Sequence, residues 1–281
     1  MFFADTYTCR IGTVSDKEEI LSSLNMFHTH QHLDWESLSN QIESQSVFLC
    51  YRNHQLSGIL SLSGSLPDNH WVKIFAVRNE TQKHIIWQKL LSFLFSSRKP
   101  HTFYTIAFWD WYKSLIRNLP EFTVFDQIIT LEISGLQSPQ PFVEENEIRV
   151  ITQQDYLQIT HIDQAAFTPP WQLDQNNLVS AINKSTISEC ILVENQPVGY
   201  LLADYDQFSA HLSRIAVHPD CAGQGLASQL INFFIRQLVS KHIYICTVNT
   251  QEKNTASLAL YHKFGFQRNG DKIPVFRYNV F

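Results

Sequence analysis

Apolar and polar positions alternate between two periods along the chain, and the second half shows this most clearly. A short apolar run at 148–151 predicts a strand, and a capped helical pattern reaches Phe167. A second helix is predicted over 174–183, followed by strands at 190–193 and 198–203 joined by a turn at 194–196. A strand at 212–217 runs into a glycine-containing turn and an apolar-periodic helix at 226–239. A strand at 243–248, a helix at 255–264 and a strand at 275–280 complete the pattern. The predicted order is β-α-α-β-β-β-α-β-α-β.

The first half echoes it. Arg10 and Ile11 correspond to Arg149 and Val150, Ser57 and Gly58 to Val198 and Gly199, and Ile74 to Val77 to Arg214 to Val217. The polar, proline-containing stretch 135–146 reads as a linker. These features predict an internal repeat: a domain over 1–134, a linker, and a second domain over 147–281.

The 281 residues accommodate two domains of about 140 residues each. A hydrophobic fraction of 44% against 17% charged residues predicts globular domains with sizeable cores. The net charge of −5 argues against a nucleic-acid-tracking surface. Five widely spaced cysteines without a C-x-x-C pair predict free thiols and a reducing cytoplasm. No apolar run approaches the ~20 residues that span a bilayer, and the first residues lack a signal-peptide pattern. No membrane partner is expected. The alternating His28, His30 and His32 suggest a metal site, but no Cys, Asp or Glu cluster completes one. A solvated loop, and no metal, is expected there.

The segment from Ile215, Ala216 and Val217 through Ala222, Gly223, Gln224, Gly225, Leu226, Ala227 and Ser228 carries the chemistry. Its small residues uncover backbone N–H groups at a helix start, an arrangement suited to a pyrophosphate. Downstream stand Asn249, Asn254, Ser257, Leu260, Tyr261, Gly265 and Phe266.

Together the two segments resemble the GCN5-related N-acetyltransferase (GNAT) superfamily. Its Gln/Arg-x-x-Gly-x-Gly/Ala turn is matched by Ala222, Gly225 and Ala227, with Ala222 in place of the usual Gln or Arg. Its Asn-x-x-Ala/Ser-x-x-Leu-Tyr-x-x-x-Gly-Phe pattern is intact from Asn254 to Phe266. Phe167, Thr168, Pro169, Pro170 and Trp171 also resemble the loop between the first two helices of the ribosomal-protein alanine acetyltransferase branch.

The resemblance implies an α/β (α+β) fold of two tandem acyl-CoA N-acyltransferase-like domains, each a mixed, mostly antiparallel sheet flanked by helices. It implies acetyl-CoA as co-substrate and a primary amine of a small molecule or peptide as acceptor. The cofactor would lie along Ile215 to Val217 and on the turn, near Asn254, with Asn249 a weaker contact. Tyr261 stands at the general-acid position. For the base, His211 has a suitable intrinsic pKa, with Asp204 and Asp206 as rivals. A non-catalytic acyl-CoA-binding module is the alternative reading.

The first half departs from the motifs. Gln82 to Trp87 replace the glycine turn, and Ile116 stands where the tyrosine would. A degenerate first domain that does not bind CoA in the usual manner is expected.

Overall fold

The structure, a computed structural model, describes residues 5–32, 37–63, 69–97, 102–137 and 146–279. Most of the predicted linker lies outside the described residues. The chain divides into two compact units, Met1–Asp126 with Ile273–Phe281, and Gln127–Lys272.

The first unit contains β1 (Tyr7–Ile11), α1 (Lys17–Met26), β2 (His28–Gln31), α2 (Leu38–Glu43), β3 (Val47–Arg52), β4 (Gln55–Leu62) and β5 (Asn69–Val77). Helix α3 (Lys83–Ser97), β6 (Thr102–Ile106), α4 (Asp110–Arg117) and the start of β7 (Phe122–Ser134) follow. The second unit continues with β8 (Ile148–Val150), α5 (Tyr156–Ala166), α6 (Gln175–Lys184), β9 (Ile187–Val193), β10 (Gln196–Tyr205) and β11 (Ala210–Val217). Helix α7 (Leu226–Ser240), β12 (Ile245–Gln251), α8 (Thr255–Lys263) and most of β13 (Gln267–Asn279) complete it.

Each unit is a mixed, mostly antiparallel sheet flanked by helices. In the second unit the order is β8-β9-β10-β11-β12-β7, with β11 and β12 parallel. In the first it is β1-β3-β4-β5-β6-β13, with β5 and β6 parallel. The final strand of each sheet is supplied from elsewhere in the chain. Residues 128–134 of β7 pair with β12, and residues 275–279 of β13 pair with β6. The unit boundary therefore falls at Gln127, inside a strand, and the last residues belong with the first unit.

The repeat extends to its hydrogen bonds. Arg10 pairs with Asp16 at 2.7 Å and Arg149 with Asp155 at 2.7 Å, and Thr13 and Thr152 each complete a capping box with that aspartate. Gly58 stands opposite Val77, as Gly199 stands opposite Val217.

In the second unit, α7 buries Leu230, Phe234 and Leu238 on one stripe against Leu201, Leu212 and Val248. Each such side chain contributes ~1.5–3 kcal/mol on burial. On the opposite face, Ile159 and Ile162 of α5 and Leu178 and Ile182 of α6 are buried.

The residues His28 to His32 are not a solvated loop. His28 to Gln31 form β2, paired with β5, and His30 is fully buried. Neutral imidazoles stack on aromatic rings, which makes this polar segment compatible with the core: His30 on Tyr112 at 4.0 Å and His32 on Trp71 at 4.9 Å. No helix among the described residues is long and apolar enough to cross a membrane. Among the same residues no group of three or more His, Cys, Asp or Glu side chains is placed to hold a metal ion.

Candidate active site

Strand β11 pairs along its whole length with β10, but its parallel ladder with β12 covers only Ala210 to Leu212. The register against β10 shifts so that Leu202 faces Arg214 and Ala203 faces Leu212, leaving Ser213 as an extra residue. This bulge bends the strand away from its neighbour. Beyond it, the His218 N–H donates to the Val198 carbonyl at 2.8 Å. Antiparallel pairing alternates, so Ala216 also bonds toward β10. The N–H and C=O groups of Ile215 and Val217 then point the other way, into the gap left by β12. Among the described residues no strand pairs with them there.

That open edge leads into the glycine turn. Pro219 to Cys221 form a single 3-10 turn, Gly223 and Gly225 have φ of 77° and 79°, and α7 starts at Leu226. A Cβ built at either glycine meets nothing within 4 Å. The left-handed backbone, not crowding, therefore calls for glycine. Ala222, Gly223, Gln224 and Gly225 are exposed, and among the described residues no side chain caps α7. Leu226 and Ser228 are buried, with Ala227 half-buried between them. The first amides of α7 are thus available, at the positive end of the helix dipole. Lys263, which the sequence reading passed over, brings a cation there: its Nζ donates to Ser228 Oγ at 3.1 Å. Its place inside the second motif, two residues after Tyr261, was the available signal.

Asn254 caps α8, its Oδ1 accepting from the Ser257 N–H at 3.1 Å. One turn on, Tyr261 is 3% exposed and packs in one cluster with Leu212, Leu226, Cys246 and Val248. Burial raises its pKa well above the ordinary value, with Cys246 adding to the rise and the Ser257 hydroxyl opposing it. The phenol is protonated at neutral pH. Gly265, with φ of 89°, ends the helix and lets the Phe266 N–H bond back to the Tyr261 carbonyl at 3.1 Å. Asn249 lies on the other face of β12 from Cys246 and Val248, where its Oδ1 accepts from Thr130 Oγ1 at 2.8 Å.

His211 stands opposite Asp204 on β10 and Thr247 on β12, with Nδ1 2.8 Å from Thr247 Oγ1. Burial lowers its pKa, against the opposing field of Asp204. The imidazole is neutral at pH 7 and able to accept a proton. Asp204 accepts from the backbone and hydroxyl of Thr186 at 2.9 and 3.1 Å. Asp206 is a turn residue: its carboxylate accepts from the N–H groups of Phe208 and Ser209, which lower its pKa. A base would need the reverse shift.

A buried network that the sequence reading missed holds the strand from behind. Arg214 Nε donates to Asp163 at 2.6 Å and to the Tyr200 hydroxyl at 3.0 Å, and its Nη2 donates to the Trp171 carbonyl at 2.7 Å. The Tyr200 hydroxyl donates to the same Asp163 carboxylate, which also accepts from the Leu173 N–H at 2.9 Å. The guanidinium lies 3.9 Å from the Phe167 ring centre. The segment from Phe167 to Leu173 is thereby tied to β11 one residue before the open edge. An arginine inside an apolar strand was the only sequence signal.

Comparison with known proteins places this geometry. Residues 156–266 match the Acetyltransferase (GNAT) family. The whole chain superposes on a GCN5-related N-acetyltransferase from Sphaerobacter thermophilus at 12% identity, covering 96% of this chain and 95% of that one, with a TM-score of 0.59. It superposes on a tandem GNAT protein from the clavulanic acid biosynthesis pathway at 10% identity, covering 97% and 98%, with a TM-score of 0.63. A GCN5-related N-acetyltransferase from Anabaena variabilis gives 10% identity, coverage of 97% and 72%, and a TM-score of 0.70. These structures share the fold; the match over 156–266 carries the family and, with it, acyl transfer as the general chemistry. Residues 156–266, in the second unit, therefore carry a domain of the acetyltransferase (GNAT) family.

Proposed function

We propose that the second unit is an N-acetyltransferase that moves acetyl from acetyl-CoA directly to a primary amine of a small molecule or peptide. The supporting observation is the continuous path from the open backbone edge at Ile215 and Val217 to the uncapped start of α7. The residues fit the co-substrate: an extended amide-bearing arm matches a free strand edge, and exposed amides at a left-handed glycine turn match a pyrophosphate. Lys263 supplies positive charge where Ala222 lacks the side chain usual in the family. Asn254 and Ser257, at the start of α8, complete the cofactor side.

In the reaction the amine nitrogen forms a bond to the carbonyl carbon and the carbon–sulfur bond breaks. Negative charge developing on the carbonyl oxygen is met by the Ile215 N–H. His211, neutral at pH 7, takes the proton the amine loses. Tyr261, protonated at neutral pH, gives its proton to the departing thiolate. Release of CoA thiol, followed against a panel of polyamines, aminoglycosides and peptides with free N-termini, tests the proposal. Tight acetyl-CoA binding without turnover for every acceptor would overturn it. That outcome would favour a non-catalytic acyl-CoA-binding module, the reading that Ala222 supports. Five unpaired thiols suit a reducing cytoplasm as its setting.

A further inference from the structure

We propose that β2 is a resident occupant of the first unit's groove, standing where the second unit keeps an open strand edge, so that the chain takes one acyl-CoA and not two. The inference rests on the acyl-CoA reading of the second unit for its comparison, but its central observation does not.

The two grooves are built alike. In the first unit, Ser61 faces Ile74 and Leu62 faces Val72, leaving Lys73 as the extra residue where the second unit has Ser213. The parallel ladder of β5 with β6 ends at Trp71 and Tyr104. The Arg78 N–H donates to the Ser57 carbonyl at 3.0 Å, as the His218 N–H does to Val198. By the same alternation, the polar groups of Phe75 and Val77 point away from β4, into the gap. They are the counterparts of Ile215 and Val217.

In the first unit that gap is filled. His28 pairs with Val77 and His30 with Phe75, and the His32 N–H donates to the Lys73 carbonyl at 2.7 Å. The strand brings its own side chains into the groove. His30 stacks on Tyr112 and lies 3.5 Å from Thr105 Oγ1, while His28 meets the edge of Trp111 at 6.1 Å. A ligand arm that bonds along the edge of β5 would have to displace a strand whose removal exposes these rings. The glycine turn that ends the groove of the second unit has no counterpart among the described residues here. Asn79 accepts from the Thr81 N–H with its side chain, α3 begins without glycine at Lys83, and buried Trp87 takes the place of Ala227.

Residue-resolved hydrogen exchange on the full chain, with and without CoA, tests this together with a calorimetric titration. The Phe75 and Val77 amides are expected to exchange at least ~100-fold more slowly than those of Ile215 and Val217 in the absence of ligand. CoA is expected to slow Ile215 and Val217 alone, with one CoA bound per chain, and Gly225→Val is expected to abolish that binding. Equal exchange at the four amides without ligand overturns the proposal, as does slowing at Phe75 and Val77 on CoA addition. A stoichiometry of two, or one CoA retained by Gly225→Val at Phe75 and Val77, does the same. Absence of CoA binding to the wild-type chain would sink the acyl-CoA reading of the second unit instead. The ligand-free exchange rates would then still decide whether β2 fills its groove.

Discussion

Arg214 and Asp163 form an ion pair at 2.6 Å, with side chains 11% and 0% exposed, that joins the bulged strand β11 to helix α5. Removing one partner leaves the other charged and buried, which costs ~3–5 kcal/mol. Asp163→Asn is therefore expected to lower the urea midpoint of the second unit. Limited proteolysis should then open the chain between Phe167 and Leu173, the segment this pair holds. Stability unchanged within ~0.5 kcal/mol would show that the network does not hold the loop.

Gly225 has room for a side chain but a backbone that disfavours one. Gly225→Ala is expected to cost ~1–2 kcal/mol at that position or to shift the turn out of its left-handed geometry. Either effect should weaken acetyl-CoA binding, at least ~10-fold for a loss of 1.4 kcal/mol, measured by titration calorimetry.

Tyr261→Phe keeps the ring contacts with Phe266 and removes only the hydroxyl. The expected result is a fall in kcat of about 10²-fold or more with acetyl-CoA affinity preserved, the range for loss of a general acid. Turnover unchanged at all pH values would remove Tyr261 from the chemistry.

Burial holds the His211 pKa below 6.5. If His211 is the base, kcat/KM stays on its plateau at pH 7 and falls only on the acid side of 6.5. His211→Gln should lower the plateau and abolish that acid limb.

The first unit carries a pH dependence of its own. Burial lowers the His30 pKa from 6.5 to about 3. The unfolded chain thus takes up this proton near pH 6.5 while the folded chain does not until about pH 3. Stability from the neutral imidazole is present above pH 6.5 and is lost as pH falls below it, by roughly 1.4 kcal/mol per pH unit per histidine. Thermal melts between pH 7.5 and 4.5 should show the first unit destabilising, and His30→Phe should flatten the slope.

Much of the second unit was legible in its sequence, because its strands and helices carry their own period. Helix α7 and the glycine turn were readable from small residues followed by a leucine and phenylalanine stripe. Strand ends were less so: β10 runs on to Tyr205 and β12 to Gln251 through polar residues that the ladder, not hydrophobicity, keeps extended. The segment His28 to Gln31 holds no apolar residue, and its burial depends on Trp71, Trp111 and Tyr112 supplied by distant segments. Alternation within β7 and β13 shows that these residues pair, but not which strand they pair with. Arg214 and Lys263 escaped notice because their partners lie on other elements of the fold.

The two long strands that complete the sheets also bear on how the chain is made. Ile106 finds its partner at Val275, and Ile129 finds its partner at Thr250. During synthesis the first unit therefore waits, with one edge of β6 bare, until β13 has left the ribosome. The sheet of the second unit can close as soon as β12 emerges, and its core is complete once α8 and Phe266 follow. The later half of the chain is expected to finish folding first, reversing the usual N-terminal-first order, and an expression boundary placed in the 135–146 stretch would strip each half of a strand it needs.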